Sequence, residues 1–145
     1  MGTSIERAHA TDTAAIRALL EENHLPLEGL ADHLKTTLVA RLNGSVVVGS
    51  AGLEVYPDGA LLRSVAVATE RQGEGLGRQL TAAAIQLAKT IGVPAVYLLT
   101  TTAEDYFPRF GFERIQRAEV PTSVQTSVEF TSACPNSATV MRKVL

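Results

Sequence analysis

The sequence predicts one α/β domain with α+β strand order, built on a mixed, mostly antiparallel central sheet flanked by helices. Three observations predict it. Asn43-Gly44 lies between two apolar, β-branched runs, which is a strong short-range hairpin signal. A strand, a glycine-rich turn, an amphipathic helix and a second strand follow one another from Ala60 to Thr100, as a parallel crossover requires. Finally, 145 residues of which 46% are apolar suffice for one core, and a single domain over 1–145 is expected.

The elements read in order. Ser4 to Ala8 suits a short first strand. Thr11 offers a helix cap, and Ala15, Ile16, Leu19 and Leu20 form one apolar face behind it. Pro26 breaks the chain within "HLPLEGLADHL", and a short second helix is expected before Leu34. "TLVARL" and "SVVVGSAGLEVY" are the hairpin strands, Pro57-Asp58-Gly59 is a further turn, and "ALLRSVAV" returns antiparallel. Leu76, Leu80, Ala83, Ala84, Leu87 and Ile91 recur at helical spacing, closed by Gly92 and Pro94. "AVYLLT" is nearly all apolar, as in a strand buried on both faces. A short helix over about Thr102 to Phe110 and a strand "GFERI" come next. Val120 to Ser137 reads as a polar loop or arm, and "ATVMRKVL" as a closing strand.

Composition narrows the function. A formal charge of -2 with scattered Lys and Arg gives no footprint for nucleic acid or an anionic membrane, so neither is expected as a partner. A lone cysteine, Cys134, suits a reducing compartment and is expected to be buried or at an interface. With no leader-like or spanning apolar run, a cytoplasmic protein is expected. His9, His24 and His33 share no ligand spacing with Cys134, so no metal is expected, and one thiol cannot sequester arsenic directly.

The stretch "SVAVATERQGEGLGRQL" places Gly73, Gly75 and Gly77 where a strand gives way to a helix. Bare backbone N–H groups at a helix N-terminus attract phosphate, and removing side chains lets a pyrophosphate sit on them. A tight turn without ligand is the plainer alternative. The lysine of a nucleotide phosphate loop is absent, and the glycine spacing departs from the dinucleotide fingerprint.

Gln72-x-x-Gly75-x-Gly77 after "SVAV", with "YFPRFGF" from Tyr106 to Phe112, resembles the GCN5-related N-acetyltransferases in both motif and order. The resemblance covers essentially the whole chain and implies their fold, with a sheet splayed at the site of acetyl-CoA. It implies that Val65, Ala66 and Val67 pair with pantetheine. It also implies that backbone N–H groups of Gln72, Gly73, Glu74, Gly75, Leu76, Gly77 and Arg78 hold the diphosphate, with Thr102 and Phe107 beside the cofactor. Within that family, "LPLEGLADHL", "GLEVY", "LLRSVAV" and "EFTSACPNSATVM" are similar to the arsenic-resistance N-acetyltransferases. This finer likeness implies a small amine acceptor: an amino acid bearing an arsenic or phosphorus oxyacid, such as arsinothricin or phosphinothricin.

Acetyl transfer to an amine needs a base, a donor for the developing oxyanion and an acid for the thiolate. The resemblance puts the oxyanion donor at the Val65 N–H. Tyr106 is the candidate acid, but Phe107 stands where the family often has its tyrosine. Either Tyr106 reaches the sulfur from one place earlier, or water protonates the thiolate, which is the preferred alternative. Glu54 is the best carboxylate for the base, with Glu28 on the expected second helix in reserve as a base or acceptor contact; a solvated strand residue is the plainer alternative for Glu54. Ser64 either orients a water or packs in the sheet. Arg63, a charge inside "LLRSVAV", either faces outward or forks the acceptor's carboxylate or oxyanion. Thr100 to Thr102 either line the groove or cap the next helix.

Three rivals remain: acetylation of protein N-termini or lysines, a non-catalytic acetyl-CoA sensor, and a phosphate-binding structural protein. A homodimer is expected from family likeness, with the 120–137 arm either completing a partner's sheet or covering the acceptor site.

Overall fold

The computed structural model describes residues 2–133 and 137–145; Cys134 and its expected placement lie outside the described residues. A seven-stranded sheet runs in the order β1-β2-β3-β4-β5-β7-β6. Its strands are β1 (Thr3–Arg7), β2 (Thr37–Leu42), β3 (Val46–Tyr56), β4 (Gly59–Val67), β5 (Ala95–Thr100), β6 (Glu113–Ile115) and β7 (Thr139–Val144). All neighbours are antiparallel except β4 and β5, which the crossover helix joins in parallel. Helices α1 (Thr13–Glu22) and α2 (Leu76–Ile91) cover one face.

The β2–β3 turn forms as the sequence predicts: Asn43 has φ 53° and Gly44 φ 75°, the positive pair a tight hairpin needs. β5 is buried on both faces. Val96 and Leu98 join the main core with α1 and α2, whereas Ala95 and Tyr97 join a second cluster with Leu61, Val124 and Phe130. Strand alternation puts these two sets on opposite faces.

Several expectations need correction. Thr11 is exposed and does not cap α1; the turn Ala10–Asp12 precedes the helix, with His9 N donating to Asp12 Oδ2 at 2.8 Å. The buried stripe of α2 is Leu76, Leu80, Thr81, Ala84, Ile85 and Ala88, while Ile91 is 39% exposed, so the helix is rotated from the face read by hydropathy alone. The expected second helix is absent: the chain turns at Gly29 (φ 85°) and forms a 3-10 segment only over Ala31–Thr36. Between Thr102 and Phe110 only Phe107–Phe110 is helical, again 3-10.

The 120–137 arm is more ordered than its composition suggests. It contains α3 (Thr122–Gln125) and a wide helical turn at Glu129–Ala133. Val124 and Phe130 bury against β4, β5 and β7 on the face away from α1 and α2. Its apolar side chains therefore cover the chain's own sheet.

Candidate active site

β4 and β5 pair only at Ala60–Val96 and Leu61–Tyr97, although β4 continues to Val67 and β5 to Thr100. Beyond Leu61 the two strands part. The cause lies in β4, where Ser64 has φ 58° and the register against β3 shifts between Ser50 and Gly52. Such a bulge bends its strand and sharpens the twist. A non-glycine residue in this conformation costs about 1–2 kcal/mol. Side chains brace it: Ser50 Oγ donates to the Ser64 carbonyl at 2.8 Å, and Arg63 Nε donates to Ser64 Oγ at 3.1 Å.

Two cavities occupy the gap. A cleft of about 380 Å3 lies between Arg63, Ser64 and Val65 of β4 and Leu98 to Thr100 of β5, with Glu129 from the arm in its wall. A groove of about 700 Å3 runs from Val65 along Val67 to the glycine loop, flanked by Arg71 and Arg78. They meet at Asn23, Val65, Ala103 and Tyr106, which line both. The junction places the phenol of Tyr106 between a basic, glycine-floored groove and a smaller cleft.

The loop has the geometry its glycines imply. Gly73 and Gly75 sit at φ 89° and 87°, where any side chain is strained although space is open. The ladder of α2 begins with Gln79 N donating to Gly75 O at 3.1 Å. The preceding N–H groups of Leu76, Gly77 and Arg78 therefore have no intrahelical acceptor, and they sit at the positive end of the dipole. Gly77 is small for a different reason: a Cβ there would stand 3.5 Å from the Tyr106 hydroxyl and 3.7 Å from Val67 Cγ2, inside the groove.

Two members of the expected diphosphate set sit differently. The Gln72 backbone N–H is used in a turn to Thr69 O at 3.4 Å, and its side-chain amide donates to Val67 O and to Asn23 Oδ1. Gln72 thus ties the loop to the end of β4. Glu74 points to solvent, 3.8 Å from Arg71, and does not line the groove. Asn23 Nδ2 also donates to Val67 O, at 3.2 Å, so the internal hydrogen bonds already engage that carbonyl.

Thr102 and Phe107 line the smaller cleft and not the groove. The cap of the following segment is Thr100, whose Oγ1 accepts from Ala103 N at 2.9 Å. Phe107 is buried edge-to-face against Phe112, while Tyr106 packs edge-on to Phe107 and Phe110 with Arg109 over its ring. These contacts fix the ring of Tyr106 at the junction.

Of the candidates, Glu54, Arg63 and Ser64 fall in one buried network beneath the cleft. Glu54 and Arg63 lie diagonally on β3 and β4, with Arg63 Nη1 donating to Glu54 Oε2 at 2.7 Å. Tyr56 donates to the other Glu54 oxygen, and His33 Nε2 lies 3.6 Å from it. Burial pushes the Glu54 carboxyl up, but hydrogen bonds from Ser127, Tyr56 and Arg63 outweigh that and hold it below its ordinary value. Burial, then the Glu54 carboxylate, push the Tyr56 phenol up to about 12. Glu54, which the sequence offered as the base or as a solvated strand residue, is fully buried, paired with Arg63 and absent from both cavity walls.

Arg63 does line the cleft, but it is committed to Glu54, to Ser64, to the Pro26 carbonyl at 3.3 Å and to Glu129 Oε2 at 3.5 Å. This leaves it anchoring the wall instead of presenting an open fork. Glu28 is exposed in a turn, with its carboxylate accepting from Leu27 N, and it lines neither cavity.

Four residues went unnoticed in the sequence. Arg71 carries a weak signal, as a base just before the loop. Asn23 carries none, because it reaches β4 from the end of α1. Ser127 and Glu129 were hidden in a segment read as a polar arm. Among the described residues no group of three or more His, Cys, Asp or Glu side chains is placed to hold a metal ion, and no helix is long and apolar enough to cross a membrane.

Comparison with known proteins gives this geometry a family. Residues 33–114 match the model of the acetyltransferase (GNAT) domain. An amino-acid acetyltransferase of Neisseria meningitidis is 30% identical over 127 residues, covering 81% of this chain and 29% of that protein. The chain thus spans less than a third of that relative. N-acetylglutamate synthase from Neisseria gonorrhoeae, solved with coenzyme A and N-acetyl-glutamate, superposes with TM-score 0.84 at 25% identity over 100% of this chain and 35% of its own. A Mycobacterium tuberculosis protein solved with CoA superposes with TM-score 0.82 at 25% identity, over 98% and 99% of the two chains. With the split β4–β5 pair, the glycine loop and more than half its length matched, the chain belongs to the GNAT acetyltransferase family.

Proposed function

We propose that the protein is an N-acetyltransferase that moves the acetyl group of acetyl-CoA to the amino group of a small amino acid. The observation that carries this reading is the junction at Val65 and Tyr106, where the phosphate-binding groove opens into a separate cleft. Acetyl-CoA supplies an activated thioester. The free N–H groups at the start of α2, with Arg71 and Arg78, hold its diphosphate. The edge of β4 that β5 abandons pairs with its pantetheine. The Val65 N–H, on the bulge set by Ser64, donates to the thioester carbonyl oxygen, and Tyr106 protonates the departing sulfur.

Relatives that act on amino acids, and a cleft too small for a folded peptide partner, support a small acceptor. Within that class, the likeness to arsenic-resistance acetyltransferases favours an amino acid carrying an arsenic or phosphorus oxyacid. The same likeness supports a cytoplasmic homodimer acting in detoxification. The test is acetyl-CoA-dependent thiol release across phosphinothricin, arsinothricin, ordinary amino acids, polyamines and peptide N-termini. Saturable release with the oxyacid amino acids, lost in their N-blocked forms, supports the reading. Turnover confined to peptides overturns the acceptor class. CoA binding without any turnover favours a sensor.

A further inference from the structure

Arg63 is shared by two carboxylates that differ in what they face. Glu54 takes its shortest contact, 2.7 Å at Nη1, and lines neither cavity. Glu129 stands 3.5 Å from Nε and does line the cleft. Glu129 is 4% exposed, so it belongs to the wall and not to a solvated rim.

Its placement is built. The Glu129 N–H donates to Ser127 Oγ at 3.1 Å, and the Ser127 hydroxyl in turn bonds Glu54. Phe130, the next residue, is buried in the second core cluster against Leu61 and Tyr97. The arm is thereby pinned on both sides of Glu129, whose carboxylate lies 3.5 Å from the same Arg63 Nε that donates to Ser64 Oγ. Across the cleft, β5 contributes Leu98, Leu99 and Thr100, with no charge of their own.

We propose that Glu129 is the residue that binds the acceptor's ammonium group, so that the cleft selects acceptors by the positive charge at their reacting end. The proposal rests on the acetyl-transfer reading above and adds to it the chemistry of recognition. Among the residues that line the cleft, Glu129 is the carboxylate, and a carboxylate that meets Arg63 has further lone pairs for an entering amine. Ammonium–carboxylate hydrogen bonds are charge-assisted and among the stronger ones available in a buried wall. Bound there, the amine lies beside Val65, where the thioester carbonyl would be held.

The test needs no known acceptor. CoA thioethers ending in a primary ammonium, S-(2-aminoethyl)-CoA and S-(3-aminopropyl)-CoA, are compared by calorimetry with their terminal-hydroxyl counterparts and with CoA. The expected result is that wild-type protein binds an ammonium thioether about tenfold or more tighter than its hydroxyl counterpart. In Glu129→Gln the difference falls to about twofold or less, while CoA affinity stays unchanged. Equal wild-type affinities overturn the proposal, as does a preference that persists in Glu129→Gln. Should Glu129→Gln not fold, Glu129→Asp decides: a reduced preference supports the assignment and an undiminished one overturns it. Failure of CoA itself to bind overturns the acetyl-CoA reading, and this proposal falls with it.

Discussion

Arg63 and Glu54 occupy diagonal positions on β4 and β3, with Nη1 2.7 Å from Oε2 and both side chains essentially removed from water. The contact holds the bulged part of β4 to its neighbour where β5 no longer supports it. Removing one partner of such a pair strands the other charge in the interior. Arg63→Met is therefore expected to lose about 3–5 kcal/mol of folding stability, read from urea unfolding. The Glu54→Gln, Arg63→Met double variant should recover part of that loss in a double-mutant cycle. An Arg63→Met protein as stable as wild type, defective only toward the acceptor, would return Arg63 to a substrate-binding role.

Acid should expose the same network. Hydrogen bonds from Ser127, Tyr56 and Arg63, opposed by burial, hold Glu54 below its ordinary value of 4.5. Asp12 is held below 3.8, chiefly by its hydrogen bonds with Arg41. A carboxyl depressed in the folded state binds fewer protons there than in the unfolded chain. Its stabilising share is complete above the ordinary value and is lost as pH falls through the folded one. The urea midpoint is thus expected to hold level down to mildly acidic pH and to fall below about 4.5. Arg41→Met should remove the Asp12 share of that slope. Tyr56 acts in the opposite sense: its share is present in neutral solution and is lost as pH climbs toward about 12.

What could be read from sequence was what local chemistry dictates. Asn43-Gly44 must turn, Gly73, Gly75 and Gly77 mark a bare strand-to-helix junction, and the nearly all-apolar run "AVYLLT" demands two buried faces. What could not be read came from long-range placement. Nothing local says that β7 inserts between β5 and β6. Glu129 looked like one acid in a polar arm, because its burial depends on Phe130 and Val124 meeting β4 and β5 from the far face. The Glu54–Arg63 pair stood at the margin. The tight turn at Pro57-Asp58-Gly59 sets Tyr56 against Gly59, and that register places Glu54 and Arg63 as same-face diagonal neighbours. Reading each residue separately assigned a base and a substrate fork to groups that satisfy each other.

The glycines of the loop separate folding from binding. Gly75 caps α2 at φ 87°, so Gly75→Ala is expected to lose about 1–2 kcal/mol of stability, together with CoA affinity. Gly77 has no positive φ, and alanine improves helix propensity by up to about 1 kcal/mol. Gly77→Ala should therefore fold as well as wild type or better. Its Cβ would still project toward Tyr106 and Val67 into the groove, and CoA should bind about tenfold or more weakly by calorimetry. Unchanged CoA affinity in Gly77→Ala would show that the ligand does not pass over this residue.

Tyr106 is the sharpest test of the chemistry. Its ring is held by Phe107, Phe110 and Arg109, and its hydroxyl reaches toward Gly77 where groove and cleft meet. If it protonates the departing sulfur, Tyr106→Phe keeps the packing and removes only the proton. The expected result is a fall of about 10^2 in kcat with little change in the KM for acetyl-CoA. Phe107→Tyr in that background should not restore the rate, because Phe107 is buried against Phe112 and lines the smaller cleft, not the groove. A Tyr106→Phe enzyme with unaltered kcat would assign sulfur protonation to water and leave the tyrosine a packing residue.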